Sequence, residues 1–176
     1  MSEFSESYHL KSKNPQDAVL LLQKANKKGY VFNESDGWVS FVVEGDAFIP
    51  NQSLISSNEG ILFHFINAED HGWEFTIYDK DKQISHYSCF WEEDISIDSS
   101  ALNIEVISEI LQWENEKTKD IKDILFVQDI NEAFEKNVAS SFAELMGLKN
   151  YEWISYDYVS GDTDSYTEQC PGIIEV

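Results

Sequence analysis

Between Ile61 and Trp91 the chain carries three consecutive segments that read as β-strands. Ile61 to Ile66 is almost wholly apolar, as expected of a central strand covered on both faces. Trp73 to Tyr78 alternates, with Trp73, Phe75 and Ile77 on one side and Glu74, Thr76 and Tyr78 on the other. Asp79-Lys80-Asp81-Lys82 is a polar turn, and Ile84 to Trp91 returns as the next strand. With Asn67 to Gly72 as the first connection, this predicts an antiparallel meander whose apolar side must be buried against another layer.

The flanking sequence supplies that layer. Asn14 can cap a helix that begins at Pro15, and Asp17 suits its positive end. Ala18, Leu21, Leu22 and Ala25 fall on one face, and Gly29 is a stop signal, so an early helix is expected near 15–28. A short strand is expected at Tyr8 to Lys11. Tyr30 to Phe32 and Trp38 to Val43 read as strands joined by Asn33-Glu34-Ser35-Asp36-Gly37.

Beyond residue 100 the pattern turns helical. Ser99 or Ser100 is placed to cap a helix striped by Leu102, Val106, Ile107, Ile110 and Leu111. Ile121, Ile124 and Leu125 follow at helical spacing. Asp129 with Glu132 resembles a capping box, opening a helix through Ala133 or Phe134, Val138, Phe142 and Leu145 to Gly147. Tyr151 to Tyr158 alternates as a last strand would, and the tail from Gly161 is expected to be mobile at its end. The expected fold is α+β: one domain over residues 1–176, with a mainly antiparallel sheet (meander around residues 61–91) packed against helices, one early helix and a helical C-terminal half.

Charge narrows the classes of partner. Among 176 residues, 33 acids face 12 basic residues, all of them lysine, for a net charge of −21. Residues 1–60 carry a net −3, residues 61–100 a net −7 and residues 101–176 a net −11. Such a surface repels nucleic acid and anionic membranes. A bacterial-like preference for lysine codons and the solubility that acid confers account for part of the composition; a basic protein partner would account for the rest. No apolar run approaches the ~18–20 residues that span a bilayer. Met1 to Glu6 is acidic and polar, unlike a signal peptide, and Cys89 and Cys170 have neither CxxC nor zinc-type spacing. A reduced, cytoplasmic protein without a cofactor is expected, its oligomeric state unread.

Three clusters have residue types that carry chemistry. Glu69-Asp70-His71 places two carboxylates beside an imidazole in a strand connection, a composition suited to acid–base catalysis or a divalent metal, although a solvated hairpin favours the same residues. His64 and His86 lie in two of the strands and, with an Asp or Glu beside them, would make a metal site if register brought them to one face. Tyr151, Trp153, Tyr156, Asp157 and Tyr158 set rings beside acids, a mixture that recognises basic groups; Trp113-Glu114 and Trp91-Glu92-Glu93-Asp94 repeat it. Cys89, three residues from His86, should face the opposite side.

Other signatures fail by counting. Asp79 and Asp162 each begin an acidic stretch, but neither has the glycine at position six or the glutamate at position twelve of an EF-hand. An irregular calcium site at Asp162, Asp164 and Glu168 is the remaining option there. GxGxxG, GxxxxGK[ST] and GxSxG are absent. The leading expectation is a non-enzymatic interaction module that binds a basic protein, as an inhibitor or immunity-type partner does. The alternative is a small metal-dependent hydrolase built on Glu69, Asp70, His71 and His64 or His86. A third class is a small-ligand-binding domain with an aromatic pocket.

Overall fold

The meander is present and longer than its apolar runs suggested. The computed structural model describes residues 2–112 and 115–176. In it, β4 (Ile61–Ala68), β5 (Gly72–Asp79) and β6 (Lys82–Trp91) are continued by an edge strand, β7 (Ile95–Asp98). The N-terminal strand β1 (Phe4–Lys11) lies beside β4, and β3 (Trp38–Val43), β2 (Gly29–Ser35) and the short β8 (Ile174–Glu175) complete the sheet. The order is β7-β6-β5-β4-β1-β3-β2-β8, with every pairing antiparallel. Gly72 is required where β5 starts: its φ is +136°, and a Cβ there would lie 2.2 Å from the Cys89 carbonyl oxygen.

Helices take both faces of this sheet, giving the α+β architecture. On one face, α3 (Ile104–Leu111), α4 (Asn115–Leu125), α5 (Ile130–Glu135) and α6 (Val138–Met146) bury Phe63, Phe65, Trp73, Phe75, Tyr87 and Cys89. The rings interlock: Phe75 stacks on Phe142 at 4.4 Å, with Phe63 on Phe75 at 5.4 Å. Polar tips reach acceptors, as when Trp38 Nε1–H donates to the Met146 carbonyl and Tyr87 O–H to the Leu125 carbonyl. On the opposite face, α1 (Pro15–Lys24) and α2 (Gln52–Ser57) cover Tyr8, Leu10, Val39, Phe41 and Leu62.

Several local expectations are met by the caps. Asn14 Oδ1 accepts from Gln16 N, Asp129 Oδ1 accepts from Glu132 N, and Gly147 closes α6 at φ +76°. Others need correction. The early helix ends at Lys24, with Asn26 taking the left-handed turn, and Gly29 starts β2 instead, packed against the Val42 carbonyl. Asn103, rather than Ser99 or Ser100, caps α3, because Ser100 is engaged with Asp98. The segment after Asp129 is two helices, broken at left-handed Asn137.

Residues 151–158 do not form a strand. Tyr151 and Ile154 anchor in different clusters, and Ser155 Oγ accepts from Tyr158 N to begin α7 (Tyr156–Gly161), followed by α8 (Thr163–Gln169). The tail is not loose: β8 pairs with β2, and Asn33 Nδ2–H donates to the Pro171 carbonyl. The Trp113-Glu114 pair lies outside the described residues. No helix among the described residues is long and apolar enough to cross a membrane.

Candidate functional site

Strand β1 sends its alternate residues to faces of different character. Its odd positions, Ser5, Ser7 and His9, are fully buried beneath the 149–154 segment. His9 joins two serines there: its Nδ1 lies 2.7 Å from Ser40 Oγ and its Nε2 lies 2.9 Å from Ser7 Oγ. Because Ser40 donates its own proton to the Lys149 carbonyl, Nδ1–H must donate to Ser40 and Ser7 O–H must donate to Nε2. The chain of groups resembles a nucleophilic relay, yet Ser7 and His9 have no exposed surface. Burial, with the nearby His64, pushes the His9 pKa down to about 3, so this imidazole is neutral. It ties the sheet to the segment above it.

The even positions, Phe4, Glu6 and Tyr8, belong to the other face and line a pocket of about 390 Å³. Loop 44–51 contributes Gly45, Ala47 and Phe48, and the start of α7 contributes Tyr156, Asp157 and Tyr158. Glu6 is its most constrained group. His64 Nε2–H donates to Oε1 at 2.7 Å, and Phe48 N–H donates to Oε2 at 2.8 Å. Tyr8 stacks on His64 at 4.3 Å and accepts from Asn51 N–H through its hydroxyl. Phe4 N–H donates to the Tyr158 hydroxyl at 3.3 Å, joining β1 to α7.

The wall of this pocket stores backbone strain. Phe48 has φ +62°, a region that bulky residues avoid. The Glu6 carboxylate holds it there through the Phe48 amide. Glu3 does the same on the other face: its Oε1 accepts from the amide of Trp153, whose φ is +50°. Two carboxylates of the N-terminal segment, Glu3 just before β1 and Glu6 within it, thus each fix a left-handed aromatic residue in a neighbouring segment.

Register also answers where the strand histidines go. His64 and His86 both pair with Thr76, from opposite sides, and therefore share a face. They flank Thr76 without meeting: His64 is committed to Glu6, and His86 Nδ1 lies 2.8 Å from Thr76 Oγ1. Glu74, half-buried on the same face, has a raised pKa because burial disfavours its charge; His86 and His64 pull the other way, and Glu6 adds to the rise. Cys89 is on the opposite face from His86, in the core, where burial also raises its pKa.

The Glu69-Asp70-His71 connection is exposed and turned towards the N-terminal segment. Glu69 Oε2 accepts from Glu3 N–H, Asp70 accepts from the Ser2 hydroxyl, and the Glu69 and His71 carbonyls accept from Trp91. Its polar atoms fasten a hairpin; the three side chains do not converge with His64 or His86. Among the described residues, no group of three or more His, Cys, Asp or Glu side chains is arranged to hold a metal ion. Asp162 caps α8 by accepting from Ser165 N–H.

Of the ring-and-acid segment, Tyr156, Asp157 and Tyr158 line the pocket, Tyr151 is buried in the core, and Trp153 is exposed to solvent. Phe4, Glu6 and Phe48, the pocket's other half, are not among the residues the sequence singles out. A signal was present in Phe4-Ser5-Glu6-Ser7-Tyr8, where rings and an acid alternate with serines at strand period. Comparison with known proteins finds no matching family model, no matching curated protein and no matching solved structure.

Proposed function

We propose that the protein is a non-enzymatic interaction module that binds a basic partner protein, in the manner of an inhibitor or immunity-type protein, through the face that carries the pocket. The observation that supports this reading is the convergence of Phe4, Phe48, Tyr156 and Tyr158 with Glu6 and Asp157, contributed by three separate segments. Aromatic area beside carboxylates suits cationic groups, and the net charge of −21 would speed encounter with a basic molecule. The hydrolase alternative has less support: the Glu69 and Asp70 carboxylates accept from the N-terminal segment, and among the described residues no His, Cys, Asp or Glu group is arranged to hold a metal ion.

The test is a titration against a panel of basic and acidic proteins of similar size. Basic members are expected to bind at low ionic strength and to weaken steeply as salt rises towards ~0.15 M, where the Debye length shrinks to about 8 Å. Absence of binding to every basic member at low salt, or equal binding to the acidic ones, overturns the reading.

A further inference from the structure

Glu6 has capacity left over. A carboxylate offers about four lone-pair sites, and His64 and the Phe48 amide occupy one on each oxygen. One acceptor site therefore remains on each oxygen of a carboxylate that lines the pocket. Two acceptors side by side match the planar fork of a guanidinium, which binds carboxylates through two parallel N–H···O bonds.

The walls favour the same group. Phe4 and Phe48 stand with ring centroids 6.3 Å apart and tilted by 33°, and Tyr158 closes over the Phe4 amide. A guanidinium is weakly hydrated and stacks on aromatic faces, whereas a lysine ammonium is a compact, strongly hydrated charge that loses more on entering a ring-lined pocket. Asp157, exposed at the start of α7, adds a second carboxylate. No lysine lines the pocket, and the chain contains no arginine, so a guanidinium found there comes from another molecule.

We propose that this pocket receives an arginine side chain of the basic partner, with Glu6 as the bidentate acceptor and Phe4, Phe48 and Tyr158 as the stacking surfaces. The assignment rests on the basic-partner reading above and narrows it from charge to one side chain. Arginine makes the specific contact, and the remaining acidity of the protein steers the approach.

The experiment titrates three acetylated, amidated tripeptides, Gly-Arg-Gly, Gly-Lys-Gly and Gly-citrulline-Gly, at low salt while following the backbone amide signals of Phe48 and Tyr158. Decaarginine and decalysine are titrated in parallel. The arginine tripeptide is expected to shift both signals, the lysine tripeptide to bind about tenfold more weakly, the scale of one charge-assisted hydrogen bond, and the neutral citrulline peptide to leave them unmoved. Glu6→Gln is expected to remove the preference for arginine. Because Glu6 also holds Phe48 and His64, Asp157→Asn serves as the variant on an exposed position, and should weaken the arginine tripeptide severalfold while leaving the spectrum otherwise unchanged. Equal affinity for arginine and lysine tripeptides, or arginine binding untouched in both variants, overturns the pocket assignment; if decalysine then still binds, the basic-partner reading survives alone. If neither decapeptide binds, both fall.

Discussion

On the sheet face under α3 to α6, each buried polar side chain of β1 ends on a partner inside the molecule: Ser5 on Glu3, Ser7 on His9, and His9 on Ser40. On the other face, Glu6, Glu74 and His86 keep part of their surface in solvent, and Phe4 and Phe90 are exposed. Both faces mix aromatics with ionisable groups, so composition does not separate them. What separates them is whether the polar groups have been used up. The polar row of β1 on the first face is spent on the fold, although Trp73 Nε1 in the same core has no hydrogen-bond partner among the described residues, whereas a face with acceptors to spare can hold something else.

The largest effect that tests this contrast comes from the rings. Phe142 is fully buried among Phe63, Trp73 and Phe75, so Phe142→Ala is expected to cost about 3–5 kcal/mol in urea unfolding, through lost contacts and a residual cavity. Phe90, 42% exposed on the other face, should cost under about 1 kcal/mol when replaced by alanine. Comparable losses for the two variants would mean that the part of the second face around Phe90 is packed like the α3–α6 core, and the contrast would fail.

The same contrast explains how far the sequence could be read. The meander was legible because β4, β5 and β6 obey apolar alternation on at least one side. Strand β1 is legible only from Tyr8 onward, because its inward row of Ser5, Ser7 and His9 is polar, which inverts the alternation that marks a half-buried strand. Hydrogen bonding to groups distant in the chain makes that row buriable, and nothing local in the sequence announces those partners. Residues 151–158 misled for the opposite reason: their aromatic alternation arises from anchors in two different clusters, with a serine cap between them that starts a helix. The pocket was half legible for the same reason as β1, since Tyr156, Asp157 and Tyr158 stood out while Phe4, Glu6 and Phe48 needed the register of the sheet.

The His9 network offers a sharper, intermediate test. His9→Leu keeps an apolar side chain in place but leaves the Ser7 hydroxyl without its acceptor, an expected loss of about 1–3 kcal/mol. The pH dependence has a definite sign. The folded pKa is pushed down to about 3 from an ordinary 6.5. Between those values the unfolded chain binds a proton that the folded chain refuses, so stability falls as pH falls and the loss levels off near pH 3. For one group the slope reaches at most about 1.4 kcal/mol per pH unit. Subtracting the His9→Leu profile from that of the unaltered protein isolates this group from the carboxylates. A flat difference between pH 6.5 and 3 would show that His9 is open to solvent and would erase the distinction between the faces at its best-defined point.

Glu74 makes the smallest change and the most direct comparison because, unlike Glu3, its carboxylate accepts no hydrogen bond among the described residues. Its raised pKa, caused first by burial and only partly offset by His86 and His64, means that the folded chain holds the proton more tightly than the unfolded one. Stability is then lost as pH rises through the unfolded and folded pKa values, and at neutral pH the ionised carboxylate opposes folding. Glu74→Gln should therefore stabilise the protein at pH 7 and leave it unchanged below the unfolded pKa, near pH 3. The gain should stay under about 1 kcal/mol, since solvent screens a half-open site. Chemical denaturation at the two pH values measures it. A loss at pH 7 instead would mean that Glu74 is satisfied by His86 and His64, and that this face, like the other, has spent its polar groups on the fold.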